Sequence, residues 1–369
     1  SGVSKAMSQI NVNTITDEAG TGPVNFPHDF TIAGSPLVIP PAHSATSVSG
    51  ATQALDVGSY NFFNAGDLTV DTTLTFTSVP TNALWTYTAK AAVLEYYSIQ
   101  AAIYSWNRYP IFPEDNTPTG VAFSSDGTKM FVTGDSGNDV SQYTLTTAWN
   151  LRTASFTTTF VVSGQDSLPQ DLAFSSDGTK MYVIGQTNDS VYQYTLGTAW
   201  DLSTASYASL SISVTAQEAT PTGLAFSSDG TKMYIVGFTN DTVYQYTLGT
   251  AWNVSTATYD SLSISVAAQE TLPRALAFSS DGTRMVLLGG RDAYQYTLGT
   301  AWNVSTATYD SVSFSVTAQE AASNGLAFSS DGTRMYIVGT DNDTVYEYYT
   351  TIISTITVPA AVQNPPATL

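Results

Sequence analysis

The chain repeats one fourteen-residue phrase five times. "LAFSSDGTKMYIVG" at Leu224 to Gly237 recurs as "VAFSSDGTKMFVTG", "LAFSSDGTKMYVIG", "LAFSSDGTRMVLLG" and "LAFSSDGTRMYIVG". The aspartates of the phrase, Asp126, Asp177, Asp229, Asp281 and Asp331, are separated by 51, 52, 52 and 50 residues. Near-identical units bury like surfaces against like surfaces, so a fixed period of this size specifies an array or a closed ring. Within one unit, "GLAFS" and "KMYIVG" are short β-rich runs joined by "SDGT", whose Asp-Gly pair supplies the positive φ of a tight hairpin. A third run, "TVYQYTL", follows an Asn-Asp turn such as Asn240-Asp241. A fourth, "TATYDSLSISV", follows the connection "GTAWNVS" and alternates apolar with small polar residues. Four antiparallel strands per repeat make a propeller blade, and no segment has the helical spacing that a helical solenoid needs.

The two ends of the repeat region are complementary. "YSWNRYPIFPEDNTPTG" at Tyr104 to Gly120 aligns without a gap to "YASLSISVTAQEATPTG" at Tyr207 to Gly223, so it is a fourth strand lacking its first three. The last repeat has three strands, through "TVYEYY", and its continuation "TTIISTITVP" lacks the "GTAW" connection. Pairing the ends leaves no open sheet edge in the ring. The expected fold class is therefore all-β, a five-bladed β-propeller over residues 103–350 whose fifth blade takes Tyr104 to Phe112 as its outer strand. The alternative is that Ile352 to Val358 completes that blade. Before the propeller, the alternation of "LTVDTTLTF" at Leu68 to Phe76 indicates a small β domain over 36–102, after a polar, turn-rich segment over 1–35. Prolines in "VPAAVQNPPATL" mark 351–369 as a tail.

Composition narrows the partners. Hydrophobic residues make up 43% of the 369 and charged residues 11%, which suits a globular chain. Thirty acidic against eleven basic residues give a net charge of -19, which repels nucleic-acid phosphate and anionic lipid. Nucleic acid is thus not an expected partner. No run of about 18 apolar residues occurs, so membrane insertion is not expected either, and the first thirty residues show no secretion-signal pattern. There is no cysteine, and the two histidines, His28 and His43, precede the repeats.

Two resemblances follow from these residues. "AFSSDGTKMYVIG" resembles the YVTN and related surface-layer-type propeller repeats, whose signature is a Ser-x-Asp-Gly hairpin followed by a Tyr-Val strand. "SQINVNTITDEAGTGPVNFPHDFTI" at Ser8 to Ile32 resembles the N-terminal segment of structural proteins of tailed phages, marine ones in particular, found on fibres and other virion appendages. The first resemblance implies the fold alone. The second implies a virion component, assembled in the host cytoplasm and extracellular after lysis, attached to other virion proteins through 1–35 and homo-oligomeric in the particle. Its propeller would then face a host-surface glycan or protein receptor. A capsid-bound decoration protein without a receptor role, and a polysaccharide depolymerase, are the alternatives.

The chemistry available is limited. A nucleophilic triad needs a base beside its serine, and the propeller has no histidine. Metal hydrolases and lactonases on this architecture generally need convergent carboxylates with His or Asn, of which only the carboxylates and Asn are present. A glycosidase needs only two carboxylates, so it passes the inventory. No cofactor or metal is expected. The five hairpin aspartates suit a turn role, accepting backbone N–H groups two residues on, better than calcium ligation. Lys129, Lys180, Lys232, Arg284 and Arg334, one per blade, read as solvated hairpin charges. Trp149, Trp200, Trp252 and Trp302 read as packing. Against so uniform a background, the positions that vary carry the information. The residue two before "LAFS" is Thr119, Gln170, Thr222, Arg274 and Asn324 in turn, and the next is Gly120, Asp171, Gly223, Ala275 and Gly325. Entering the innermost strand, these positions should surround one mouth of the central channel. Thr119, Gln170, Asp171, Thr222, Arg274 and Asn324 are the candidate ligand contacts. Just upstream, Asp115, Asp166, Glu218, Glu270 and Glu320 form an expected acidic rim for a cation or a sugar.

Overall fold

A computed structural model describes residues 97–350, except 101, 112 and 113, and the backbone of four short strands between 45 and 77. The chain forms two compact units, Glu95–Thr351 and the remainder. In the second of these, Ala45–Val48 pairs in parallel with Phe62–Ala65, and Thr52–Asp56 with Thr73–Thr77. The expected attachment segment 1–35, most of the expected small domain 36–102 and the expected tail 351–369 lie outside the described residues.

The Glu95–Thr351 unit is a ring of five four-stranded antiparallel sheets. Blade 1 runs Pro118–Phe123, Lys129–Gly134, Asp139–Leu145 and Ala154–Val161 from inside to outside. Blades 2 to 4 repeat this order, beginning at Pro169, Pro221 and Ala275. Blade 5 takes Ser323–Phe328, Arg334–Gly339 and Thr344–Tyr349 from the C-terminal end, and Ile103–Pro110 as its outer strand. The register sets Thr344 opposite Pro110 and Tyr349 opposite Ile103. The closing strand is thus the N-terminal one, and the position that Ile352 to Val358 would have filled is taken.

Each strand's composition follows from what lies on its two faces. The second strands, such as Lys232–Gly237, are buried at every residue after the first, because a neighbouring blade covers each face. Outer strands, such as Ala257–Ser265, alternate between half-buried and exposed, as a one-sided surface requires. The core is accordingly five cores, one between each pair of adjacent blades.

Local chemistry fixes the hairpins. In blade 2 the Ser175 hydroxyl and the Thr179 N–H donate to Asp177 Oδ1 at 2.6 and 3.0 Å, and Gly178 takes φ +71. The carboxyl group of Asp177 is held down to about 2, first by Ser175 and then by Thr179. The Trp ring of the same repeat lies flat on that glycine: a Cβ on Gly230 would overlap the Trp252 ring. The tryptophan N–H donates back to the glycine carbonyl, Trp252 to Gly230 at 2.9 Å, with the tryptophan itself in the left-handed region at φ 62.

These tryptophans join blades. Tyr182 of blade 2 lies against Phe226 and Trp252 of blade 3, and its hydroxyl donates to the Trp252 carbonyl at 2.7 Å. Tyr234 and Tyr336 do the same with Trp302 and Trp149. In blade 1 the position is Phe131, which has no hydroxyl, and Lys129 Nζ reaches the Trp200 carbonyl instead, at 2.7 Å. The repeated bases are therefore not simply solvated. Arg334 Nη1 also spans two blades, donating to Trp149 O at 3.1 Å and Glu347 Oε1 at 2.8 Å.

Closure extends further back than the expected boundary at 103. Tyr97 occupies the fifth tryptophan position: its φ is 60, its N–H donates to Gly332 O at 3.1 Å, and its ring covers Gly332. Ile99 is fully buried between blades 4 and 5, and its N–H donates to Gln295 Oε1 at 3.0 Å. Gln142, Gln193 and Gln245 accept the same bond from Leu202, Val254 and Val304. Residues grouped in sequence with the small N-terminal domain thus supply the missing "GTAW" connection of the fifth blade.

Candidate functional site

The inner strands run between two mouths of different character. At the hairpin mouth, Phe123, Phe174 and Phe328 line a recess of about 250 Å³ with Trp149 and Trp200. Behind it an apolar chamber of about 320 Å³ takes lining residues from all five blades, Val121, Leu172, Leu224, Leu276 and Leu326 among them. The blades contribute near-identical side chains here, and the phenylalanines already pack on the preceding blade, the Phe278 ring 4.3 Å from that of Tyr234. This wall is the inner surface of the five cores.

At the entry mouth the ring is pinched. A Cβ on Gly325 would lie 2.8 Å from Gly120 Cα, and one on Gly223 would lie 2.9 Å from Ala275 Cα. The level of Gly120, Asp171, Gly223, Ala275 and Gly325 therefore admits almost no side chain, and Asp171 is the exception. Its two carboxylate oxygens accept N–H bonds from Leu172 at 2.8 Å and from Leu224 of the next blade at 2.9 Å. The residue is 5% exposed, and burial pushes its carboxyl group up to about 8 despite those two bonds.

Most of the other candidate contacts turn inward. Thr119 is buried, and its hydroxyl donates to Thr133 O and to Pro169 O of blade 2. Thr222 repeats the arrangement with Val236 O and Pro273 O. The Asn324 amide reaches Pro118 O of blade 1 at 3.3 Å, and Gln170 Nε2 stays within its own turn on Leu168 O and Pro169 O. These positions tie blade to blade. Arg274 alone has no hydrogen bond from its side chain among the described residues.

The acidic rim does not form as an exposed feature. Asp115, Asp166, Glu218 and Glu320 are buried, and only Glu270 is half-buried. All but Glu270 join their own entry turn to the turn after the second strand. Glu218 Oε1 accepts the N–H groups of Thr220 at 3.0 Å and Thr239 at 2.9 Å, and Glu320 Oε1 those of Ala322 and Asp341. Asp166 accepts from Leu168, Thr187 and Asn188, Asp115 from Thr117, and Glu270 from Leu272. The glycine ending each second strand leaves the space that the carboxylate fills. Charge accumulates most in blade 1, where Asp139 is pushed up to about 6 by burial and by the neighbouring Asp115. No group of three or more acidic or histidine side chains among the described residues has the geometry to hold a metal ion.

One asymmetric patch remains on the entry face, between blades 3 and 4. The Arg274 guanidinium lies 4.4 Å above the centre of the Phe238 ring. Phe238 follows the second strand, where the other blades carry Asp135, Gln186, Gly290 and Thr340. The second turn of blade 4 reads "GGRD" where blade 3 has "GFTNDT", two residues more, and its Gly289 and Gly290 carbonyls accept from Ser323 of blade 5. Leu272 is 51% exposed at the same entry turn. Burial lowers the Arg274 pKa, against the opposing charge of Glu270, and its Nε is enclosed with no acceptor. Arg274 was legible in the sequence as the one base among the entry residues. Phe238 was missed, although the variability of its position gave the same signal.

No family model matches this sequence, and no curated protein matches it. Among solved structures it is similar to a protein of unknown function from Desulfotomaculum acetoxidans, with 12% identity and TM-score 0.41 over 66% of this chain and 88% of that one. It is also similar to a Lactobacillus plantarum protein, with 15% identity and TM-score 0.39 over 66% and 70%. A 6-phosphogluconolactonase candidate from Bacteroides uniformis gives 16% identity and TM-score 0.39 over the same shares. Likenesses this distant carry no argument about activity.

Proposed function

We propose that this chain is a virion appendage protein of the tailed-phage type, docked through residues 1–35 and presenting a non-catalytic propeller for host-surface recognition. The resemblance of Ser8 to Ile32 supports the virion half of the reading. The recognition half rests on one observation: Phe238 and Arg274, the one aromatic and the one base at their two variable positions, come from different blades and meet on the entry face. Packing alone explains what every blade shares, and it does not call for a local departure of this kind. The non-catalytic reading is supported by the carboxylates, which a depolymerase would turn toward substrate and which here are occupied by backbone N–H groups of their own turns.

Cryo-EM of the source particle tests the placement: density for this chain on a fibre, tail tip or head surface is expected, and purified particles without the chain refute it. Labelled chain should also adhere to host cells. Many copies on the capsid together with no adhesion would identify a decoration protein instead, and release of reducing ends from host polysaccharide would identify a depolymerase.

A further inference from the structure

We infer that the Arg274–Phe238 patch binds a singly charged carboxylate carried on a sugar ring, such as a uronic acid unit of a surface glycan. The inference rests on the recognition reading above and names its ligand. The Arg274 guanidinium carbon sits 4.4 Å over the Phe238 ring, a cation–π contact that restrains the side chain before a ligand arrives. Among the described residues no acceptor takes a hydrogen bond from the guanidinium, and the enclosed Nε is an unpaired donor. The two Nη groups of this half-buried guanidinium are not among its enclosed atoms, and they can grip a planar oxyanion in bidentate geometry.

The surroundings select among anions. Glu270 lies close enough for its charge to act on Arg274, and the whole chain carries -19. Glu270 offsets the single Arg274 charge, so the net field is that of an acidic chain, which opposes a dianion about twice as strongly as a monoanion and favours a carboxylate over a phosphate. Exposed Leu272, two residues before Arg274, offers an apolar surface for the C–H face of a ring.

Calorimetric titration of the full chain in about 150 mM salt, where the Debye length is about 8 Å, tests the site with galacturonate, its short oligomers, the matching neutral oligosaccharide and inorganic phosphate. The acidic sugars should bind, and the neutral sugar and phosphate should bind at least tenfold more weakly. Arg274→Ala should weaken galacturonate at least tenfold, and Arg274→Lys should fall between, keeping the charge without the fork. Phe238→Leu should weaken it several-fold. Arg284→Ala, which alters a repeated hairpin base, should leave affinity within twofold. Melting curves of each variant identify any that fail to fold, and Arg274→Lys keeps the test valid if the alanine variant is among them. No binding of the acidic sugars, phosphate binding as tightly, or full affinity in folded Arg274→Ala each overturns the inference. Host adhesion that survives Arg274→Ala would overturn it while leaving the recognition reading intact. Particles lacking the chain would remove the recognition reading without touching the titration.

Discussion

Removing the closing segment should cost as much free energy as the whole ring has to lose. A chain beginning at Asn116 lacks Tyr97, Ile99, Tyr104, Tyr109 and Ile111. Ile99 and Ile111 are fully buried and Tyr97 is 8% exposed, while the Tyr104 ring sits 5.7 Å from that of Tyr348 and the Tyr109 ring 5.3 Å from that of Tyr143. At about 1.5–3 kcal/mol for each of the three buried side chains and about half that for the two half-buried tyrosines, these five account for roughly 6–12 kcal/mol. The ladder from Thr344↔Pro110 to Tyr349↔Ile103 adds about 1 kcal/mol net for each hydrogen bond lost. Domains of this kind are stable by about 5–15 kcal/mol in total. The Asn116 chain should therefore not form a cooperative ring, whereas one spanning 94–351 should.

An intermediate truncation separates the closing strand from the connection before it. A chain beginning at Ala101 keeps the outer strand of blade 5 and loses Tyr97 and Ile99. It also loses the bond from Tyr97 to Gly332 O and leaves Gln295 Oε1 buried without the Ile99 N–H. The loss is about 3–6 kcal/mol from the two side chains, with a further 1–3 kcal/mol for the stranded acceptor. Urea melts followed by tryptophan fluorescence should rank the midpoints 94–351, then 101–351, then 116–351, with the last aggregated or unfolded in buffer. Equal midpoints for the first two would show that Tyr97 and Ile99 do not close the ring. A folded 116–351 chain would show that the N-terminal strand does not.

Three further outcomes follow from the turns and the throat. Gly230→Ala forces an alanine to φ +70 and into the Trp252 ring, so urea melts should show a loss greater than the about 1–3 kcal/mol of a strained backbone alone; a loss below that range would mean the tryptophan does not need the glycine. Asp177 has a folded-state value of about 2, below the unfolded carboxylate near 4. Its contribution is therefore complete above about pH 4 and disappears as the pH falls through about 2, so Asp177→Asn should flatten the acid limb of a pH-stability profile, and an unchanged limb would refute the turn role. Asp171 has the opposite sign: its value is raised to about 8, so its contribution is complete below about pH 4 and is lost as the pH rises through 8. Stability should fall across that window, with Asp139 contributing near 6; Asp171→Asn should reduce the slope, and identical slopes would show that the throat does not titrate.

The sequence by itself determined what depends on neighbours along the chain. Asp-Gly at a hairpin, a fully apolar second strand, an alternating outer strand and a period near fifty residues each follow from contacts within one blade, so the blade, the count of five and the closing strand were all legible. Only the tertiary structure decided what depends on contacts between blades. "YYSIQA" bears no likeness to "GTAWNVS", yet Tyr97 and Ile99 take the places of a tryptophan and a leucine because ring closure leaves those places vacant. The five carboxylates looked like an exposed rim because sequence shows the charge and not the direction of the side chain. The glycine ending each second strand makes room for them to turn inward onto unpaired N–H groups. Arg274 and Phe238 belong to different repeats, and each stands in a column that varies from blade to blade. Their meeting is a property of how blade 3 packs on blade 4, which the local chain does not encode.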